Sequence, residues 1–240
     1  MTKTLLSGGL LAGAVAGLVA AILQLWLIQP LIIEAERYET GVLVLPDAAS
    51  RAPDSGPEPA VTDPSADPGL ARYAFTALFL VLTWSGFGLL AAAAVAAANR
   101  FAPGASITAF GVALAGFATV ALAPGLGLPP ELPGMPAADL EARQFWWLGA
   151  SLATAAALAV ALRFRSLGGR VAAVALAASP HLLGAPVPPL AAATVPPDLA
   201  ALYVARVLGA SFLGWLVLGT VLNILSDPST NRPSVRPVAG

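Results

Sequence analysis

Residues 73–99 read YAFTALFLVLTWSGFGLLAAAAVAAAN, with Arg72 before them and Arg100 after. Twenty-seven residues pass without a charge. As a helix they extend about 40 Å, more than the ~30 Å hydrocarbon core of a bilayer. Backbone donors and acceptors buried in lipid must be satisfied inside the segment, which a helix does and an isolated strand does not. The stretch therefore predicts a membrane-spanning helix.

Walking from charge to charge repeats the result. The chain has a span at about 5–33, between Lys3 and Glu34, and the one just read at 73–99. Others follow at 106–128, stopped by Pro129-Pro130, and at 144–162, between Arg143 and Arg163. The last two are 171–186 and 207–226. The fifth of these six is the weakest, being short and interrupted by Pro180, and without it the count is five. The expected fold is all-α: a polytopic transmembrane helix bundle of about six spans forming one domain over residues 1–226. A cleaved signal peptide ending near Ala14-Val15-Ala16 fits less well, because the apolar run continues to Ile33, beyond the ~7–15 residues of such a segment.

Composition agrees and excludes other classes. Of 240 residues, 58% are apolar and 10% charged, with mean hydropathy +0.80. Soluble domains carry about 25% charged residues. The net charge of −1 and the lack of any basic run speak against nucleic acid. There is no cysteine, hence no disulfide and no thiolate metal site. The single lysine, Lys3, has no glycine before it, so no Walker A loop exists.

With six spans, Lys3, Arg100, Arg163, Arg165, Arg170, Arg232 and Arg236 fall on one side with one acid, Asp227. The other side takes five arginines and twelve acids. The positive-inside rule then puts both termini in the cytoplasm. Tyr38, Tyr73, Phe145, Trp146, Trp147 and Tyr203 would mark the outer interface, and Phe101 and Phe164 the inner one. The Pro-, Asp- and Ala-rich segment 42–69 is expected to be an extended external loop, and residues 227–240 a disordered cytoplasmic tail. A reporter fused after Arg165 should behave as cytoplasmic and one inserted near Asp63 as external. The same side for both would overturn the count between them.

Gly9, Gly13 and Gly17 recur every fourth residue, a face that admits a close helix partner from this chain or from a second copy in a homo-oligomer. Ala71-Arg72, Ala142-Arg143 and Ala205-Arg206 open three successive returning helices. Pro129-Pro130-Glu131-Leu132 parallels Pro196-Pro197-Asp198-Leu199, and Leu148-Gly149-Ala150-Ser151 parallels Leu208-Gly209-Ala210-Ser211. Duplicated hairpins would explain the matches, as would chance in so alanine-rich a chain.

No charge lies in the middle of a span. The acids gather at the outer mouth: Glu34, Glu36 and Glu39 after the first span, Glu131 after the third, Asp139 and Glu141 before the fourth. The only histidine, His181, follows Pro180, whose missing N–H frees a carbonyl one turn back that would orient or accompany the imidazole. Imidazole with carboxylates suits a borderline dication such as cobalt, nickel or zinc. Each of these residues also has a plain structural reading, the histidine in helix packing and the acids in solvation. Met135 reads as a soft ligand or a simple loop residue. Ser151 and Ser211, in Gly-Ala-Ser triplets, would need His181 as base to be nucleophiles, but no nucleophile elbow and no HExxH occurs, so the chain does not read as an enzyme.

Four stretches carry a family resemblance. They are Gln29-Pro30-Leu31-Ile32-Ile33-Glu34-Ala35-Glu36 with Tyr38-Glu39; Gly127-Leu128-Pro129-Pro130-Glu131-Leu132-Pro133-Gly134; Arg143-Gln144-Phe145-Trp146-Trp147; and Pro180-His181-Leu182-Leu183-Gly184-Ala185-Pro186. Together, in this order, they resemble the CbtA family of predicted cobalt-transporter membrane subunits. The resemblance implies a multi-pass subunit of the bacterial inner membrane for cobalt uptake linked to cobalamin synthesis. It also implies a small CbtB-like partner with a histidine-rich end, and five spans rather than six. Cobalt would be the transported substrate, with no permanently bound cofactor, and His181, Glu34, Glu36, Glu39 and Glu131 are the candidate metal contacts. The residues alone also fit a non-transporting membrane scaffold or accessory protein whose outer acids bind a partner, or a permease for another small solute.

Overall fold

Long runs of alanine and leucine, with few β-branched residues to crowd a helix, give helices throughout. The computed structural model describes residues 2–45, 69–101, 107–190 and 193–226, and among these there is no strand. Most of the expected 42–69 loop and the whole 227–240 tail lie outside the described residues.

Helix α1 is composite: Thr2–Leu23, a π-helical segment Gln24–Ile28, then Gln29–Glu39. Helix α2 is Leu70–Phe101. Helix α3 is again composite, Ala109–Phe117, a π-helical segment Ala118–Leu122, then Ala123–Gly127. Helices α4, α5 and α6 are Leu140–Arg163, Leu167–Leu183 and Pro197–Ser226. Side-chain caps set several starts: Thr108, Asp139 and Ser166 accept the N–H of Gly111, Ala142 and Gly169 at 3.0, 3.0 and 3.2 Å.

Five helices are long and apolar enough to cross a membrane: α1 from Leu6 onward, α2, α3, α4 and α6. Helix α5, at 17 residues, is apolar but shorter, about 26 Å at ~1.5 Å per residue. It is not broken at Pro180, which lies buried within its last turn. The carbonyl that proline leaves without a donor is Leu176 O, and Ser179 Oγ donates to it at 2.8 Å. The freed carbonyl is therefore spent on Ser179 rather than on His181, which corrects the sequence expectation.

The most extensive packing is between α1 and α2. A Cβ on Gly9 would fall 2.7 Å from Gly88 O, one on Gly13 2.6 Å from Ser85 Cα, and one on Gly17 2.6 Å from Val81 Cα. The glycine face thus packs within the chain. The neighbour that this face admits is therefore α2 of the same chain. Helix α6 lies against both α1 and α3, and α4 pairs with α5. At the centre, Trp84, Phe87 and Trp215 meet at ring separations of 5.2–5.8 Å, among Ala12, Ala16, Leu218 and Leu222.

Candidate functional site: the acid-rich end

The ends of α1 and α3 and the starts of α2, α4 and α6 meet at one end of the bundle. A small core of Leu31, Ala35, Leu132, Val195 and Leu199 closes it, with Tyr38, Met135 and Tyr203 packed alongside. The Pro-rich turn after α3 is held from within and from outside. Leu132 donates its N–H to Met135 Sδ at 3.4 Å, and Gly134, at φ 77°, accepts from both the N–H and the hydroxyl of Thr194, at 3.2 and 3.0 Å. Met135 is thereby a structural member of the turn.

Two arginines tie returning helices to this end. Arg72, at the start of α2, holds Glu36 with both guanidinium arms, one of them at 3.1 Å. Arg143, in the first turn of α4, pairs with Glu131 at 2.8 Å. A third arginine, Arg206 of α6, donates at 2.7 Å to Leu27 O in the π-helical segment of α1. These are the three Ala-Arg positions of the sequence. Arg72 clasps the end of α1, Arg143 the turn after α3, and Arg206 reaches back to α1.

His181 is half-buried and meets Trp146 edge to face at 5.6 Å. Gly127 gives the Trp146 ring its room, since a Cβ there would lie 2.6 Å from ring carbon Cζ2. Three of the four quoted stretches are thus in mutual contact: Arg143–Glu131 joins the second to the third, and Trp146–His181 the third to the fourth. Glu34 and Glu39 are exposed and have no ion pair among the described residues. The five candidate residues do not converge: among the described residues no three His, Asp or Glu side chains lie close enough to hold an ion. Ser151 Oγ has no hydrogen-bond partner among the described residues, so no serine–histidine pair is formed there.

Sequence reasoning missed the two π-helical segments and the Arg206 contact. A signal for the first existed: each segment is followed after one residue by proline, at Pro30 and at Pro124. The Arg206 contact left no such trace, because it joins residues 179 apart in sequence.

The sequence model of one family, described as "Probable cobalt transporter subunit (CbtA)", matches residues 2–227. The chain belongs to the CbtA family. The match extends over every described helix, five of them long and apolar enough to cross a membrane, so this chain is a multi-pass membrane protein of a transporter-subunit family. Neither a curated protein nor a solved structure matches it.

Proposed function

We propose that this CbtA-family chain is the membrane subunit of a cobalt uptake system in the bacterial inner membrane, serving cobalamin synthesis. The observation that carries the reading is the family match over residues 2–227, on a chain whose acids gather at one end of an apolar bundle. By charge distribution that end faces outward and the arginine-rich end the cytoplasm. The exposed Glu34 and Glu39 attract a dication, and Glu36, Glu131 and His181 receive it as their arginine and tryptophan contacts loosen. With one histidine in the chain and no preassembled ligand set among the described residues, metal is held weakly. Tight capture therefore falls to a small CbtB-like, histidine-rich partner subunit.

The test is uptake of radioactive cobalt by cells with the chain, without it, and with His181→Ala. Removing the chain should abolish saturable uptake at limiting cobalt. His181→Ala should lower it severalfold with no loss of protein from the membrane, and calcium should compete poorly, because a nitrogen ligand disfavours a hard cation. Uptake by His181→Ala cells equal to wild type at every concentration would remove the histidine from the path.

A further inference from the structure

Two cavities lie along the seam between α3 and α4. One of about 660 Å³ opens toward the acid-rich end, lined by Pro124, Arg143, Trp147, Leu148 and Ser211 among others. The other, of about 300 Å³, lies toward the opposite end, lined by Gly116, Ala155, Leu158, Leu162 and Trp215 among others. Val120, in the π-helical segment of α3, lines both. Val120 therefore stands between the two cavities.

On α4 the stretch between the cavities runs from Leu148, lining the first, to Ala155, lining the second. The side chains of Ser151 and Thr154 within it are buried rather than open to either cavity. Ser151 stands three residues from Leu148 and four from Ala155, on the same helical face. Thr154, one turn before Leu158, stands beside it. Helix α4 packs against the π-helical segment itself. Both hydroxyls are more than nine-tenths buried, Ser151 at 6% and Thr154 at 9% exposure, and neither oxygen has a hydrogen-bond partner among the described residues. Other helix hydroxyls here behave differently. Those of Thr76, Ser85 and Thr220 each donate to the carbonyl four residues back, at 2.7–2.8 Å. On α3, Pro124 offers no N–H to the preceding turn, so the π-helical segment has more carbonyls than backbone donors. Non-α backbone and unpaired hydroxyls at membrane depth are tolerated where they face a water-holding space.

We infer that the transported dication passes through the α3–α4 seam, and that Ser151 and Thr154, on the stretch of α4 between the two cavities, form its constriction. The inference rests on the uptake reading above. Neutral oxygens replace the waters of a hydrated dication a few at a time, and without a carboxylate at the narrow point the ion is not trapped.

The chain has no cysteine, so single thiols report directly. Ser151→Cys and Thr154→Cys should react with a membrane-impermeant, positively charged methanethiosulfonate, and cobalt chloride should slow the reaction at least threefold. Leu152→Cys, on the exposed face, gives the lipid-side background. Thr154→Val with Ser151→Ala should cut the initial rate of cobalt uptake about tenfold, while Thr154→Ser, which keeps the hydroxyl, retains it. Thiols no more reactive than Leu152→Cys, in cells whose wild-type chain transports cobalt, would overturn the seam and leave the uptake reading standing. Thiols that react and are protected by another divalent cation, in cells whose wild-type chain adds no cobalt uptake, would uphold the seam and overturn the metal.

Discussion

Gly13→Leu is expected to leave the chain in the membrane but unfolded, with at least a fivefold loss of monodisperse protein after detergent extraction. At this position a side chain meets the backbone of two consecutive residues, Trp84 and Ser85 of α2, which cannot move aside as a rotamer would. Overpacking a fitted interface costs about 1–3 kcal/mol even where side chains yield. Here the yielding elements are the two helices with the most extensive contact in the bundle. Leucine raises the hydropathy of the segment, so insertion itself is not impaired. The readout must therefore be the folded fraction rather than the total inserted. Gly86→Leu supplies the comparison, because a Cβ on Gly86 has nothing within 4 Å. Equal behaviour of the two variants would show that α1 and α2 do not approach as described.

What could be read from the sequence was set by local chemistry. The spans came from the absence of charge, and the boundaries 73–99 and 144–162 fall within a few residues of Leu70–Phe101 and Leu140–Arg163. The sixth span shows where that logic ends. Read from 207 because Arg206 is charged, the helix starts at Pro197 and carries Arg206 inside it, since Leu27 O accepts the guanidinium. A charge ends a span only if nothing in the protein satisfies it. The fifth segment shows the same from the other side: Pro180 was read as a break, and the hydroxyl of Ser179 repairs it. The acid-rich end was legible as a cluster in sequence. The partners of its members were not, because which acid an arginine takes depends on how the hairpins fold. Glu36 and Glu131 are held while Glu34 and Glu39 are not, although all four read alike along the chain.

Charge reversal at Glu131 should separate the two jobs a carboxylate can have there. Glu131→Arg sets two guanidiniums together at a contact now 2.8 Å long, with side chains 17% and 32% exposed. Fully exposed pairs are worth up to ~1 kcal/mol, and breaking a buried one costs ~3–5 kcal/mol, so this intermediate case should cost ~2 kcal/mol, roughly a thirtyfold shift between folded and unfolded chain. The Glu131→Arg, Arg143→Glu exchange returns one carboxylate and one guanidinium to the same place and should recover most of the folded protein. The milder variants then read the metal. Glu131→Gln leaves Arg143 uncompensated beside the proposed path, so on that reading the half-saturating cobalt concentration should rise severalfold, the more so at low salt, where screening is weakest. Arg143→Gln frees the Glu131 carboxylate and should lower that concentration, provided the folded amount is matched. A carboxylate serving only as a clasp would make both single neutralisations change the quantity of protein and neither change its cobalt dependence. Opposite shifts in cobalt dependence at equal protein require that Glu131 face the ion.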